Sequence, residues 1–366
     1  MSKPFFCSIA AQKANEALIG TAGHYQAYVL IECPLPWPST AFDSEHIPPA
    51  LRQYIDAHKV SKTVRFLCIH RGTTQPSEGV TILVYEQINN VNPLVTPKNF
   101  TQFASGYRGY EFQLANMDSV VPCLEAYWQD RTLSGKSRQT LRAEASTALG
   151  KPITQQDILV CTHGMKDKCC ARLGKPIFRG ATRMAAKGTL PNTRVWRASH
   201  IGGHRFAPTA IVLPEGRYYG RLSLSALKAV VTRKGDIDQL RPIYRGWGML
   251  PKPLQLLEEK LLHSYGWPWF QHSVAYHQLV CNTDEGEISA RISVLSPDGE
   301  VTDYHARITQ DEQQSYSGKA SCGDVSPSRI VKYAIADFSI EKTVEQSALP
   351  KSNSDRAFSA EAVSAS

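Results

Sequence analysis

The sequence predicts an α/β protein. Three observations carry that reading: β-branched and aromatic runs alternate with helical stretches through roughly the first 145 residues, a strand-helix-strand order followed by a hairpin and a helix occupies residues 157–231, and no apolar run approaches the ~20 residues of a membrane-spanning helix.

Taken in order, residues 25–32 (YQAYVLIE), 63–69 (TVRFLCI) and 80–85 (VTILVY) are suited to buried strands. Residues 49–58 and 117–128 read as the helices between and after them. The brief apolar stretch at residues 5–11 is cut by Gln12 and Lys13 before it makes a secretory core, so no cleaved leader is expected. The polar stretch 133–142 is the best boundary. Beyond it, residues 157–160 lead a strand into Cys161, and residues 171–187 are mostly helical, with Gly174 and Pro176 limiting the start. Residues 194–199 form a second strand ending at His200. Residues 209–213 and 217–222 flank Pro214-Glu215-Gly216, a three-residue hairpin connection, and Ser223 or Ser225 can cap a helix running through Val231. This order is thioredoxin-like in outline. Residues 253–262 then form an amphipathic helix, and 273–280, 287–294 and 301–308 alternate as strands. The expected organisation is an N-terminal α/β domain (1–145), a thioredoxin-like domain (146–245), a small α+β appendage (246–345) and a disordered tail (346–366), whose composition collapses to serine, alanine and charge.

Charge is unevenly distributed. The whole chain of 366 residues carries 41 basic and 33 acidic side chains, a net charge of +8. Between Cys161 and Arg205 ten basic residues (Lys166, Lys168, Arg172, Lys175, Arg179, Arg183, Lys187, Arg194, Arg197, Arg205) face one acid, Asp167, so this segment alone is +9. Nucleic acid is disfavoured because no recognisable binding motif accompanies the patch. An acidic protein partner or a buried anionic centre calls for the same field. Nine cysteines, scattered at 7, 33, 68, 123, 281 and 322 apart from a group at 161, 169 and 170, do not make a disulfide framework. A reducing cytoplasm is the economical reading, with the scattered cysteines acting as small buried hydrophobes.

The chemistry concentrates in Cys161, Cys170, His200 and His204. Two thiolates spaced C-x8-C and two imidazoles spaced H-x3-H, at the ends of two strands, make a four-ligand soft metal site. Gly202 and Gly203 disfavour a helix between the histidines and let the backbone approach a bulky centre. Cys169 is adjacent and either cysteine could reach a metal, but the spacing favours Cys170. His163 inside the cysteine loop is a substitute ligand or, more simply, a histidine bonded to loop backbone. Tyr218 and Tyr219 shield the centre or belong to the core.

Three blocks then carry a resemblance: Cys161-Thr-His-Gly-Met-Lys-Asp-Lys-Cys-Cys170, Val195-Trp-Arg-Ala-Ser-His-Ile-Gly-Gly-His-Arg-Phe-Ala207, and Ile211-Val-Leu-Pro-Glu-Gly-Arg-Tyr-Tyr-Gly-Arg-Leu222. With Gly20-Thr-Ala22 and Tyr28-Val-Leu-Ile-Glu32, they resemble the sucrase/ferredoxin-like family over roughly residues 5–245. The resemblance implies a thioredoxin-like ferredoxin domain holding a [2Fe-2S] cluster, with Cys161, Cys170, His200 and His204 as ligands. Residues 246–345 fall outside it.

The expected function is therefore one-electron transfer, with proton coupling through the histidines and an acidic redox protein docking on the 161–205 segment. The alternatives are a structural zinc module, whose cysteines are usually two to four apart, and a sucrose-cleaving hydrolase, for which no carboxylate pair stands out. A thiol-disulfide enzyme is disfavoured by the lack of C-x-x-C where a thioredoxin-like domain would display it.

Overall fold

In the computed structural model, residues 5–59, 63–72, 79–87, 103–132, 150–276, 279–282 and 287–342 are described. The polar stretch 133–142 and the tail 346–366 lie outside them. The fold is α/β, as the sequence predicts, and its centre is one ten-stranded mixed sheet.

The first half supplies β1 (Ala27–Glu32), β2 (Val64–His70), β3 (Val80–Gln87) and β4 (Tyr107–Leu114), with helices α1 (Cys7–Lys13), α2 (Pro49–Lys59) and α3 (Val120–Thr132). The second supplies β5 (Lys151–Pro152), β6 (Gln156–Cys161), α4 (Lys168–Ala186), β7 (Thr193–Ala198), β8 (Ala210–Leu213), β9 (Arg217–Tyr219), α5 (Leu224–Thr232) and β10 (Tyr244–Trp247). Strand order is β10-β9-β8-β6-β7-β2-β1-β3-β4-β5. β1 is buried along its whole length because both faces are covered. Its side chains alternate between two cores, Tyr28 and Leu30 on one face and Val29 and Ile31 on the other, as the two-residue pleat requires.

The sheet contains an internal two-fold arrangement that the sequence reading did not detect. β1 runs parallel to β2 and antiparallel to β3, which is antiparallel to β4. β6, β7, β8 and β9 repeat these senses. The halves meet where β2 pairs antiparallel with β7, Ile69 opposite Ala198 and His70 opposite Arg197. Glu32 pairs with Ile69 as Cys161 pairs with Ala198, so a carboxylate in the first half stands where the second half carries a thiol.

α6 (Lys252–Tyr265) follows, with a second sheet of β11 (Ser273–Tyr276), β12 (Val280–Asn282), β13 (Glu287–Leu295), β14 (Val301–Gly318) and β15 (Ser328–Lys342). The sequence predicts one strand over 273–280, which is two, and stops the last strand at 308, whereas β14 continues through residue 318 to pair with β15. The α6 leucines Leu254, Leu257, Leu261 and Leu262 are buried, and its Glu258 is paired with the buried Arg217. The β14–β15 hairpin returns to the N-terminus. Lys332 lies 2.8 Å from the buried Glu16 carboxylate, and the Tyr316 hydroxyl donates to that same carboxylate at 2.9 Å. Among the described residues no helix is long and apolar enough to cross a membrane.

Candidate metal centre

β6 carries Cys161 to its C-terminal end, and the chain turns through Asp167 into α4. Asp167 caps that helix, its carboxylate accepting from the Cys169 backbone N–H at 2.8 Å. The helix begins three residues before the sequence reading places it, so Cys169 and Cys170 sit in its first turn, where the unpaired N–H groups and helix dipole favour thiolates. Gly174 is what permits this. A Cβ there would lie 2.0 Å from the Cys161 carbonyl oxygen, a backbone atom that cannot rotate away. Gly174→Ala should therefore push α4 off the end of β6, cost about 1–3 kcal/mol in stability and lower metal occupancy, read by thermal unfolding and metal analysis.

The imidazoles come from the loop after β7. Gly202 and Gly203 both have positive φ, 87° and 70°, which turns the chain and sets His200 beside His204 with ring centroids 4.9 Å apart and the rings tilted by 30°. Two arginines from elsewhere in the fold hold this loop by its backbone. Arg65 of β2 donates to the His200 carbonyl at 2.7 Å, and Arg245 of β10 donates to the Gly202 carbonyl at 3.1 Å and to Thr21. A Cβ on Gly203 would strike the Arg245 guanidinium at 2.5 Å.

Cys161, Cys170 and His200 offer ligand atoms within 4.8 Å of one another. His204 stands beside His200 with its Nδ1 3.7 Å from Asp167 Oδ2. The Nδ1 atoms of both histidines are buried without a hydrogen-bond partner. Such orphaned nitrogens are costly unless something accepts their lone pairs, and a metal does. Charge agrees with this. The neighbouring Cys170 holds the Cys161 thiol well below the ordinary range despite burial, while Cys161 pushes Cys170 up. Burial, followed by the charge of His200, lowers His204 and favours the neutral imidazole that metals bind. Burial pulls Arg245 down to about 10, while Tyr218 and the nearby Cys161 and Cys170 sulfurs favour its charge.

His163 Nε2 donates to the Pro38 carbonyl at 2.7 Å, the loop-bonded arrangement, and its ring meets Trp37 edge-on. Tyr218 and Tyr219 are core residues, with the Tyr218 hydroxyl 2.9 Å from that of Tyr28. The basic segment is not all surface. Arg194 pairs with Glu111 and the buried Asp157, Arg205 pairs with Glu16, and Arg197 is half-buried. The seven others, Lys166, Lys168, Arg172, Lys175, Arg179, Arg183 and Lys187, are exposed on α4 and its flanks, with Met165 exposed beside Lys166.

The structure also joins residues that the sequence reading left as isolated hydrophobes. Cys7 of α1 and Cys322 of the β14–β15 turn meet Cys169 and Asp167, with all four ligand atoms within 4.8 Å of one another. A hydrogen bond from Cys7 pulls the Cys169 thiol down to about 6. No local spacing could have revealed this group, since its members come from three distant parts of the chain.

The model of the sucrase/ferredoxin-like family matches residues 18–246, more than half of the chain. A curated relative, altered inheritance of mitochondria protein 32 of Meyerozyma guilliermondii, is 26% identical over 102 residues, which cover 26% of this chain and 36% of that protein. The match thus spans about a third of the relative's length. No solved structure matches the chain.

Proposed function

Since the chain belongs to the sucrase/ferredoxin-like family, we propose that it is a one-electron carrier whose cofactor is a [2Fe-2S] cluster held by Cys161, Cys170, His200 and His204. The observation that carries this reading is the buried meeting of Cys161, Cys170 and His200 beside His204, with an orphaned Nδ1 on each histidine. When bound, such a cluster accepts and releases one electron, at about −150 to +300 mV for two-histidine ligation against about −400 mV for plant-type all-cysteine ligation.

The chain's own residues set the conditions for that exchange. Neutral imidazoles in place of two thiolates remove negative charge, and the buried Arg245 adds positive charge; both favour the reduced state. Arg65 and Arg245 fix the histidine loop from two other strands, so the ligands keep their places when charge changes. Among the described residues eight cysteines are free, which supports a reducing compartment such as the cytoplasm.

The exposed basic face of α4 begins within one helical turn of Cys170, which supports docking of an acidic redox protein there. Neutralising Lys166, Lys168 and Lys175 together should slow reduction by a physiological donor about tenfold at low salt, and raising salt to ~150 mM should slow the wild type similarly. Stopped-flow reduction checks this; a rate indifferent to salt would discard the docking surface.

A further inference from the structure

Three thiols brought together from positions 7, 169 and 322 form an almost equilateral triangle. Cys7 Sγ lies 3.6 Å from Cys169 Sγ, Cys169 Sγ 3.4 Å from Cys322 Sγ, and Cys322 Sγ 3.5 Å from Cys7 Sγ. Each oxygen of the Asp167 carboxylate stands 3.7 Å from Cys7 Sγ. A tetrahedral ion with metal–sulfur bonds of ~2.3 Å has sulfur–sulfur edges of ~3.8 Å, and with metal–oxygen bonds of ~2.0–2.2 Å its sulfur–oxygen edges are ~3.6 Å. The triangle needs to open by only a few tenths of an ångström to take one. Every pair is far beyond the ~2.05 Å of a disulfide bond. An odd number of thiols would in any case leave one unbridged.

The surroundings are those of bound thiolates. Sulfur anions in buried metal sites are steadied by N–H and O–H donors. Here the Cys7 backbone N–H points at Cys322 Sγ at 3.4 Å and the Ser8 hydroxyl at Cys169 Sγ at 3.1 Å. The Asp167 carboxylate is oriented by the backbone N–H groups of Cys169 at 2.8 Å and Cys322 at 2.9 Å. Cys7, Cys169 and Asp167 are buried, and Cys322 is partly so. Three mutually adjacent sulfurs belong on one ion, whereas a [2Fe-2S] cluster takes only two protein ligands on each iron.

We propose that Cys7, Cys169, Cys322 and Asp167 form a second, structural metal site that binds one zinc ion. Three thiols lose their protons to solvent on binding, the carboxylate enters already charged, and no electron moves. The site ties α1, the first turn of α4 and the β14–β15 turn into one knot. Cys169 thus serves the zinc while its neighbour Cys170 faces the other centre, and Asp167 lies between the two. The proposal does not depend on what Cys161, Cys170, His200 and His204 hold.

The test is metal analysis of the purified full-length protein and of Cys7→Ser, Cys169→Ser, Cys322→Ser and Cys161→Ser variants, with iron, zinc and copper measured together. We expect Cys7→Ser, Cys169→Ser and Cys322→Ser each to lose about one zinc per chain relative to the wild type with any iron unchanged, and Cys161→Ser to keep that zinc. Cys322 lies in a partly exposed turn, so its variant keeps the fold, and circular dichroism checks this. As a second measurement, wild-type protein stripped with chelator should regain one equivalent of zinc, and with cobalt(II) should develop the visible bands of a tetrahedral thiolate site that Cys322→Ser lacks. Wild-type protein without zinc that takes up neither ion overturns the proposal. So does a disulfide among these cysteines in native thiol counts, copper in place of zinc, zinc unchanged in Cys322→Ser, or loss of iron instead of zinc.

Discussion

Cys161→Ser or Cys170→Ser should abolish incorporation of the proposed cluster, leaving a colourless variant with iron at least tenfold below the wild type. The hydroxyl that replaces either thiol is a hard, weakly acidic ligand, whereas iron–sulfur centres select thiolates. Both thiols are buried close together at the end of β6 and the start of α4, so neither loss can be made good by solvent. Cys169→Ser should keep the colour, since the Cys169 sulfur is engaged by Cys7, Cys322 and the Ser8 hydroxyl. Visible absorption with iron analysis checks all three variants. A bleached Cys169→Ser beside a coloured Cys170→Ser would reverse the ligand assignment.

The reduction potential of the proposed cluster should fall with rising pH in the neutral to alkaline range, by about 59 mV per unit for one proton per electron. An imidazole that binds through Nδ1 keeps its other N–H, and the oxidised centre, the stronger Lewis acid, acidifies that proton more than the reduced centre does. Reduction therefore takes up a proton wherever the oxidised form has lost it, and the sign of the slope follows. His200 lines a cavity of about 1410 Å³, so its proton can exchange with water, whereas His204 does not line that cavity. His200→Cys in a variant that keeps its cluster should flatten the slope more than His204→Cys. Redox titration from about pH 6 to 10 measures it; a flat wild-type potential would remove histidine ligation or the exchangeable proton from the account.

What was legible in the sequence followed local spacing. The C-x8-C and H-x3-H patterns sit at strand ends that β6 and β7 form, and the β-branched runs of β1 to β3 show their burial directly. The start of α4 was misplaced because Gly174 and Pro176 read as helix breakers, although Gly174 is there for close approach to Cys161 and Asp167 supplies the cap. The two-fold relation of the halves escaped because it resides in strand order and sense, while equivalent positions carry unrelated residues, such as Glu32 and Cys161. Cys7, Cys169 and Cys322 escaped for a similar reason. Separations of 162 and 153 residues leave no local signature, and only packing of the β14–β15 turn against α1 unites them. The charge count over 161–205 was right as a sum but overstated the surface, because Arg194 and Arg205 are spent on Asp157, Glu111 and Glu16.

The identity of the centre at Cys161, Cys170, His200 and His204 is decided by the visible spectrum of the purified wild-type protein, together with iron and acid-labile sulfide per chain. A [2Fe-2S] cluster there gives a coloured protein that bleaches on reduction and carries about two irons and two sulfides. A colourless protein with no acid-labile sulfide, and with zinc lost from Cys161→Ser, would contradict it.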